Sequence, residues 1–362
     1  MVTDLGAALD EGWTLPADWY SDPEIWRRER EQVFRRTWQY AGPTAWVEET
    51  GEYFACFAGH VPVVVVRDEA GALRAFVNVC RHRGHLVAQG RGRRQTLQCP
   101  YHAWTFGLDG CLKNAPRSER EPGFDKDLFP LLPAAVDTWG PFVFVNPDPE
   151  ATPLAETLGG LPEAVERAGL DLARVAFRER QEWVIPANWK VVVENFLECY
   201  HCPVAHPSFS DLIDVDPDAY RLTSEGLYSS QVAPVRDAVA QSPNGAPYDP
   251  RGEVRESQFH YLWPTFTFNV LPGPPNVTAL LFQPDGIGKT LGVTDYFFAP
   301  DADEKLVEEM IAFGNVVGQE DNDLVASVQR GLASGMVPQG RLLLSSEHLI
   351  QHFQKLVHQA LT

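Results

Sequence analysis

The chain reads as an α+β protein, with a small all-β domain ahead of a larger domain that mixes long strands with long helices. Short runs of alternating residues, punctuated by turn sequences, fill residues 40–150. A proline-rich stretch, Pro147–Pro162, comes next, and from about residue 180 longer strands and helical periodicity take over. The length of 362 residues, with 44% hydrophobic and 22% charged residues, suits a globular chain of two domains. The expected division is a helical segment at 1–39 packing on the second domain, a β domain at 40–150 and a catalytic domain at 151–362.

Taken in order, Ser21-Asp22-Pro23-Glu24 reads as a capping box with proline in the first turn of a helix. That helix offers Trp26, Val33, Phe34 and Trp38 for burial. Strands are expected at Tyr53–Phe57, Val61–Arg67, Leu73–Val79, Gln95–Gln98, Trp104–Phe106 and Phe142–Asn146. In the second region a helix is expected over Asn188–Cys202. Strands are expected at Gln258–Asn269, Asn276–Phe282 and Gly292–Phe298, and helices at Asp303–Val317, Glu320–Leu332 and Ser346–Leu361. The segment 207–252, rich in Asp, Pro, Ser and Gly, reads as a loose cover or subunit contact.

The net charge of −19 disfavours nucleic acid and anionic lipid as partners. No run of eighteen apolar residues is present. The start, Met1-Val2-Thr3-Asp4, lacks a signal-peptide pattern, so a cytoplasmic location is expected. Six cysteines are few for this length and point to a reducing compartment rather than a disulfide framework.

Two half-sites carry the first chemistry. Cys80-Arg81-His82 is succeeded, after sixteen residues, by Cys99-Pro100-Tyr101-His102. Two thiolates and two imidazoles form the ligand set of a Rieske [2Fe–2S] centre, with the histidines on one iron. Such a cluster is reduced at roughly −150 to +300 mV, well above an all-cysteine plant-type ferredoxin. The same four side chains would also suit tetrahedral zinc, although a single intervening residue seldom lets Cys and His reach one small ion. Both half-sites fall after short strands, in hairpin tips that could clamp one cluster.

A second constellation lies in Asn195-Phe196-Leu197-Glu198-Cys199-Tyr200-His201-Cys202-Pro203-Val204-Ala205-His206. On a helix, Asn195, Glu198 and His201 share one face. Cys202-Pro203 breaks the helix and lets His206 turn back toward His201. Two such histidines need one carboxylate to complete the facial triad of a non-haem Fe(II) oxygenase. In the helix at Glu320–Leu332, Asp321 falls in phase with Leu324, Val325, Val328 and Leu332 on the expected buried stripe, which makes it the third ligand. The other uses for Asp321 are a helix N-cap, or replacement as ligand by Glu320 or Asp323.

Together, C-x-H-x16-C-x2-H and Glu194-Asn195-x-x-Glu198-x-x-His201-x4-His206 resemble the catalytic α subunit of Rieske non-haem iron oxygenases, over nearly the whole chain. The resemblance implies a helix-grip catalytic domain with a large antiparallel sheet. It implies His201, His206 and Asp321 as iron ligands, and a head-to-tail homotrimer in which the cluster of one subunit serves the iron of the next. Glu198 stands where the family most often has Asp, as the carboxylate linking the two centres, with Asn195 beside it. The surrounding motif is similar to the branch acting on quaternary ammonium or N-methyl compounds. The resemblance thus implies a terminal oxygenase supplied with electrons from NAD(P)H by a flavin or iron–sulfur reductase. It would use O₂ to hydroxylate or N-demethylate a small molecule. An aromatic-ring hydroxylase and a Rieske electron carrier without oxygenase activity are the competing readings. Phe259, Tyr261, Trp263, Phe266 and Phe268 are the expected pocket wall, as an aromatic cage or slot, with ordinary sheet core as the alternative.

Overall fold

The computed structural model describes residues 4–241 and 246–362. Two compact units emerge: Phe34–Leu154, and Ala155–Thr362 together with the N-terminal segment up to Val33. Among the described residues, no helix is long and apolar enough to cross a membrane.

The first unit holds strands β1 (Gln39–Pro43), β2 (Glu52–Ala58), β3 (Val61–Arg67), β4 (Leu73–Val77), β5 (Arg91–Arg93), β6 (Thr96–Gln98), β7 (Thr105–Gly107), β8 (Leu112–Asn114), β9 (Pro133–Trp139) and β10 (Phe142–Asn146). They form a seven-stranded sheet, ordered β1-β10-β9-β4-β3-β2-β5, and a three-stranded sheet, β6-β7-β8. The run Val63–Val66 is buried on both faces of β3, as a central strand covered on each side requires. Strands β1, β5, β8 and β9 are not among the expected elements. Arg91–Arg93 is too polar, and Pro133 too suggestive of a turn, for periodicity to reveal them.

In the second unit, α1 (Leu5–Asp10) and α2 (Pro23–Gln32) precede the sheet. Asp22, not Ser21, caps α2: its side chain accepts the Glu24 N–H, which replaces the expected capping box. Val33, Phe34 and Trp38 are buried, whereas Trp26 is only half-buried. Short helices α3 (Leu154–Leu158) and α4 (Leu161–Arg167) lead to β11 (Ala176–Ile185) and α5 (Trp189–Phe196). Then come α6 (Cys202–Ala205), α7 (Pro207–Leu212), β12 (Arg221–Glu225), β13 (Tyr228–Pro234) and α8 (Asp237–Gln241). The chain closes with β14 (Glu256–Leu262), β15 (Phe266–Val270), β16 (Asn276–Pro284), β17 (Thr290–Phe298), α9 (Glu304–Ala333) and α10 (Leu344–Leu361).

The seven strands form one antiparallel sheet, β11-β17-β16-β15-β14-β13-β12, with helices laid across it. Segment 207–252, expected to be loose, supplies β12 and β13 instead; its residues 242–245 lie outside the described residues, as do residues 1–3. The expected strand Gln258–Asn269 is two strands, since the Trp263–Pro264 junction turns the chain between β14 and β15. The two helices expected at 303–332 are one, α9.

A buried ion pair anchors the N-terminal segment. Glu29 on α2 meets the Lys190 ammonium on α5, both fully buried, and Trp189 donates its indole N–H to Glu29 at 3.1 Å. Tyr261 and Trp263 pack under Phe353 of α10, at ring separations of 5.9 Å each. His260 stacks on Phe268 at 4.7 Å. Most of the expected aromatic wall is therefore sheet core.

Candidate functional site: two metal-ligand constellations

In the first unit, two hairpin tips carry Cys80–Leu86 and Cys99–Trp104. The first is closed by Cys80 N–H donating to the His85 carbonyl and Gly84 N–H to the Cys80 carbonyl. Gly84 sits at φ +74°, which a side chain would disfavour. The second repeats this geometry, with Cys99 N–H donating to Trp104 and Ala103 N–H to Cys99. Cys80 and Cys99 are buried, while His82 and His102 are exposed.

The two imidazoles lie 4.6 Å apart between centroids, and Trp104 stacks flat on His82 at 5.1 Å. Burial pushes the Cys80 thiol up, and the adjacent Cys99 thiol adds to the effect. Desolvation and the neighbouring His82 and Arg83 hold His102 below its usual value, which favours the neutral ligand form. Two inner thiols and two outer imidazoles on facing tips fit a [2Fe–2S] cluster.

In the second unit, Asn188 caps α5 by accepting the Lys190 N–H at 3.0 Å. The helix stops at Leu197, earlier than the expected end at Cys202. Glu198 and His201 thus lie in the turn beyond it rather than on a helical face. Cys199 and Cys202 are joined there by a disulfide, against the expectation of reduced cysteines only. Pro203 sits in the first turn of α6, and Pro207 opens α7. The residue before a proline is driven out of the helical region. His206, at φ −123° and ψ 69°, turns there and faces His201.

His201 Nε2 and His206 Nε2 approach to 3.2 Å, and Asp321 Oδ1 lies 3.0 Å from His206 Nε2 and 3.5 Å from His201 Nε2. One ligand atom from each of the three falls within 4.8 Å of the others. Asp321 sits mid-helix in α9, so the N-cap alternative is excluded. Its buried neighbour is Val325, whereas Leu324 and Val328 are exposed, so the apolar stripe differs from the expected one. Asn195 Nδ2 donates to Asp321 Oδ1 at 2.7 Å and ties α5 to α9.

The Nδ1 atoms are occupied too. Glu198 Oε1 bonds His201 Nδ1, and Glu320 Oε2 bonds His206 Nδ1 at 2.8 Å. Each imidazole is thereby oriented with Nε2 toward the shared centre, the arrangement that carboxylates impose on metal-binding histidines. From sequence, Glu320 was visible only as a substitute ligand, and this orienting role was missed. Spacing held the signal, since Glu320 is the residue before Asp321. Asp323 instead accepts from Gln319 on the exposed side of α9.

Burial alone would lower His201, but Asp321 and Glu198 outweigh it and raise the group to about 9. Burial would raise Asp321, yet donation from His201, His206 and Asn195 holds it at about 2. Two imidazoles and a carboxylate held this closely, with their outer nitrogens bonded, fit one divalent metal with open positions.

The triad opens on a cavity of about 400 Å³ between the sheet, α5 and α9. Of the expected wall residues, Phe259 alone lines it. Trp183, Phe209, Phe282, Tyr296 and Phe313 are among its other aromatic surfaces, and none of these five was expected from the sequence.

Residues 37–134 match the Rieske [2Fe-2S] domain family, and residues 172–362 match the ring hydroxylating alpha subunit (catalytic domain) family. The chain belongs to the Rieske oxygenase α-subunit family. It carries a Rieske cluster and a mononuclear iron, and it is an oxidoreductase that uses O₂. It is 34% identical to the carnitine monooxygenase oxygenase subunit of Acinetobacter baumannii, over 98% of this chain and 97% of that one. It is 33% identical to the chloroplastic choline monooxygenase of Amaranthus tricolor, over 97% and 78%. A solved structure of the quaternary ammonium Rieske monooxygenase CntA with L-carnitine superposes with a TM-score of 0.85 at 33% identity, covering 99% of this chain and 98% of that one. Naphthalene 1,2-dioxygenase from Rhodococcus, at 21% identity and a TM-score of 0.80, shares the fold. These findings remove the zinc-site and pure electron-carrier readings.

Proposed function

We propose that this oxygenase hydroxylates a carbon attached to the nitrogen of a quaternary ammonium or N-methyl compound. The observation that carries this reading is the cavity itself, where aromatic faces stand beside the His201–His206–Asp321 centre. Aromatic faces attract an ammonium group, and more strongly when water is excluded. Relatives named for carnitine and choline support the same substrate class.

His201, His206 and Asp321 would hold the ferrous ion, and Cys80, His82, Cys99 and His102 the cluster. The iron supplies O₂ activation, and the cluster supplies electrons one at a time. Glu198 orients His201, Glu320 orients His206, and Asn195 fixes the Asp321 carboxylate. A C–H bond of the substrate is replaced by C–OH. The second oxygen atom leaves as water with two electrons and two protons, the electrons coming from NAD(P)H through a reductase. At an N-methyl carbon the product is a carbinolamine, which loses formaldehyde.

A head-to-tail trimer, with Glu198 as the carboxylate between one subunit's cluster and the next subunit's iron, fits the exposure of His82 and His102. It also fits the exposed Tyr200 and Val204 beside Glu198. A solved relative described in terms of inter-subunit electron transfer supports it. A cytoplasmic location fits Cys80 and Cys99 as thiols, while Cys199 and Cys202 form a disulfide.

Incubating the purified protein with a reductase, NADH and a panel of quaternary ammonium compounds and aromatic acids tests the reading. The expected result is hydroxylated or demethylated product from the cations only, with three irons per chain. Turnover of aromatic acids alone would overturn it.

A further inference from the structure

We infer that the preferred substrate is a quaternary ammonium compound ending in a hydroxyl or similar neutral group, not in a carboxylate. This rests on the proposed substrate class and narrows it. The cavity lining contains no lysine or arginine among the described residues, and residues 1–3 and 242–245 contain none either. Apart from the two metal-site histidines, the charged lining residues are acidic: Glu198 and Asp321 at the metal centre, and Glu182, whose side chain lies on the exposed side of β11. Away from the metal centre, a carboxylate brought into such a site would lose its water and find no lysine or arginine to replace it.

The same lining holds unused neutral hydrogen-bonding atoms. Trp183 Nε1, Asn269 Oδ1 and Thr294 Oγ1 are buried and have no partner. Two polar groups nearby are engaged: Gln231 donates to the Phe196 carbonyl at 2.6 Å, and the Tyr296 hydroxyl donates to Asn315 at 3.1 Å. An indole N–H needs an acceptor, an amide oxygen needs a donor, and a threonine hydroxyl offers both. A hydroxyl group can accept from Trp183 or Thr294 and also donate to the Asn269 oxygen, whereas a carboxylate can only accept.

Their placement orders the ligand. Phe209 packs near His206 at 6.5 Å and on Phe259 at 5.8 Å, and Phe259 is the cross-strand partner of Asn269. An ammonium group over Phe209 and Phe259 therefore stands beside the metal centre, with a short neutral tail reaching Asn269 on the sheet floor. Gly292 leaves room for the Trp183 indole, which a Cβ there would meet at 2.6 Å.

The test is anaerobic titration of the holoenzyme with three probes: choline, its hydroxyl-free analogue propyltrimethylammonium, and the carboxylate γ-butyrobetaine. Choline should bind at least tenfold more tightly than the other two. Thr294→Val should shrink the choline preference over propyltrimethylammonium by about tenfold, and Asn269→Arg should turn preference toward γ-butyrobetaine. Equal or tighter binding of γ-butyrobetaine by the unaltered enzyme would overturn the inference while leaving the quaternary ammonium reading intact. Failure of all three probes to bind would remove both. Should either variant not fold, the three probes on the unaltered enzyme still decide.

Discussion

Removing the Glu320 side chain should strip the mononuclear iron without touching the cluster. His206 is buried, and its Nδ1 has Glu320 as its partner at 2.8 Å. Glu320→Ala leaves that nitrogen without a partner, a loss of about 1–3 kcal/mol for a buried polar group. Loss of such an outer partner typically lowers metal affinity by roughly 10–100-fold, which corresponds to about 1.4–2.7 kcal/mol. The assay is iron content per chain after dialysis against graded chelator, with the visible spectrum of the cluster as an internal control. Asp323→Ala, three positions along α9 and bonded only to Gln319 on the exposed side, is the matched comparison. Unaltered iron retention in Glu320→Ala, or greater loss in Asp323→Ala, would refute the orienting role.

Asp321→Ala should reduce the iron count from three per chain to two, with the cluster spectrum intact, by iron and acid-labile sulfide analysis. Glu198→Gln should keep both centres but lower turnover by at least about tenfold, on the scale for outer partners of metal ligands; normal turnover would count against a linking role. Glu194 accepts from the Tyr20 hydroxyl at 2.6 Å and the Gln354 amide at 2.9 Å, and burial pushes it from 4.5 to about 7. Its folded-state value is raised, so its contribution is complete below about pH 4.5 and is lost as pH rises to about 7. Glu194→Gln should therefore melt like the parent at pH 4.5 and higher at pH 8, by up to about 3 kcal/mol in stability. Lys190→Met should destabilise by about 3–5 kcal/mol, because Glu29 would stay buried without its cation, and adding Glu29→Leu should restore much of the loss in thermal melts.

Much of this architecture was legible in the sequence, for definite reasons. The cluster half-sites were plain because a cluster needs its ligands at fixed short spacings on tight turns, and such turns leave a local pattern. Val61–Arg67 and Phe142–Asn146 were found with their observed bounds because central strands are continuous apolar runs. Strands β12 and β13 were missed because Arg221–Glu225 is polar apart from Leu222 and the Ser229-Ser230-Gln231 row is buried by its neighbours rather than by its own character. The cavity wall was misread for a related reason. Alternation places Phe259 and Tyr261 on one face of β14, but only tertiary packing decides that Phe353 of α10 covers Tyr261 while Phe259 lines the cavity.

The His201–His206–Asp321 triad is built on a loop and two helices rather than on the continuous helix expected over Asn188–Cys202. A continuous helix would have put Glu198 and His201 one turn apart on a single face, where one carboxylate could serve one histidine. Ending α5 at Leu197 frees this stretch to wrap around the centre, with the Cys199–Cys202 link and the two prolines setting its turns. Glu198 then reaches His201 from within the loop, while Glu320 reaches His206 from α9. The two histidines are thus oriented by different elements, and Asn195 on α5 ties the third ligand to the same frame. A shift of α9 against α5 would move Asp321 and the Glu320 support of His206 together, leaving only His201 in place. Precision at this centre accordingly depends on helix–helix packing more than on the His-x4-His spacing that first marks it.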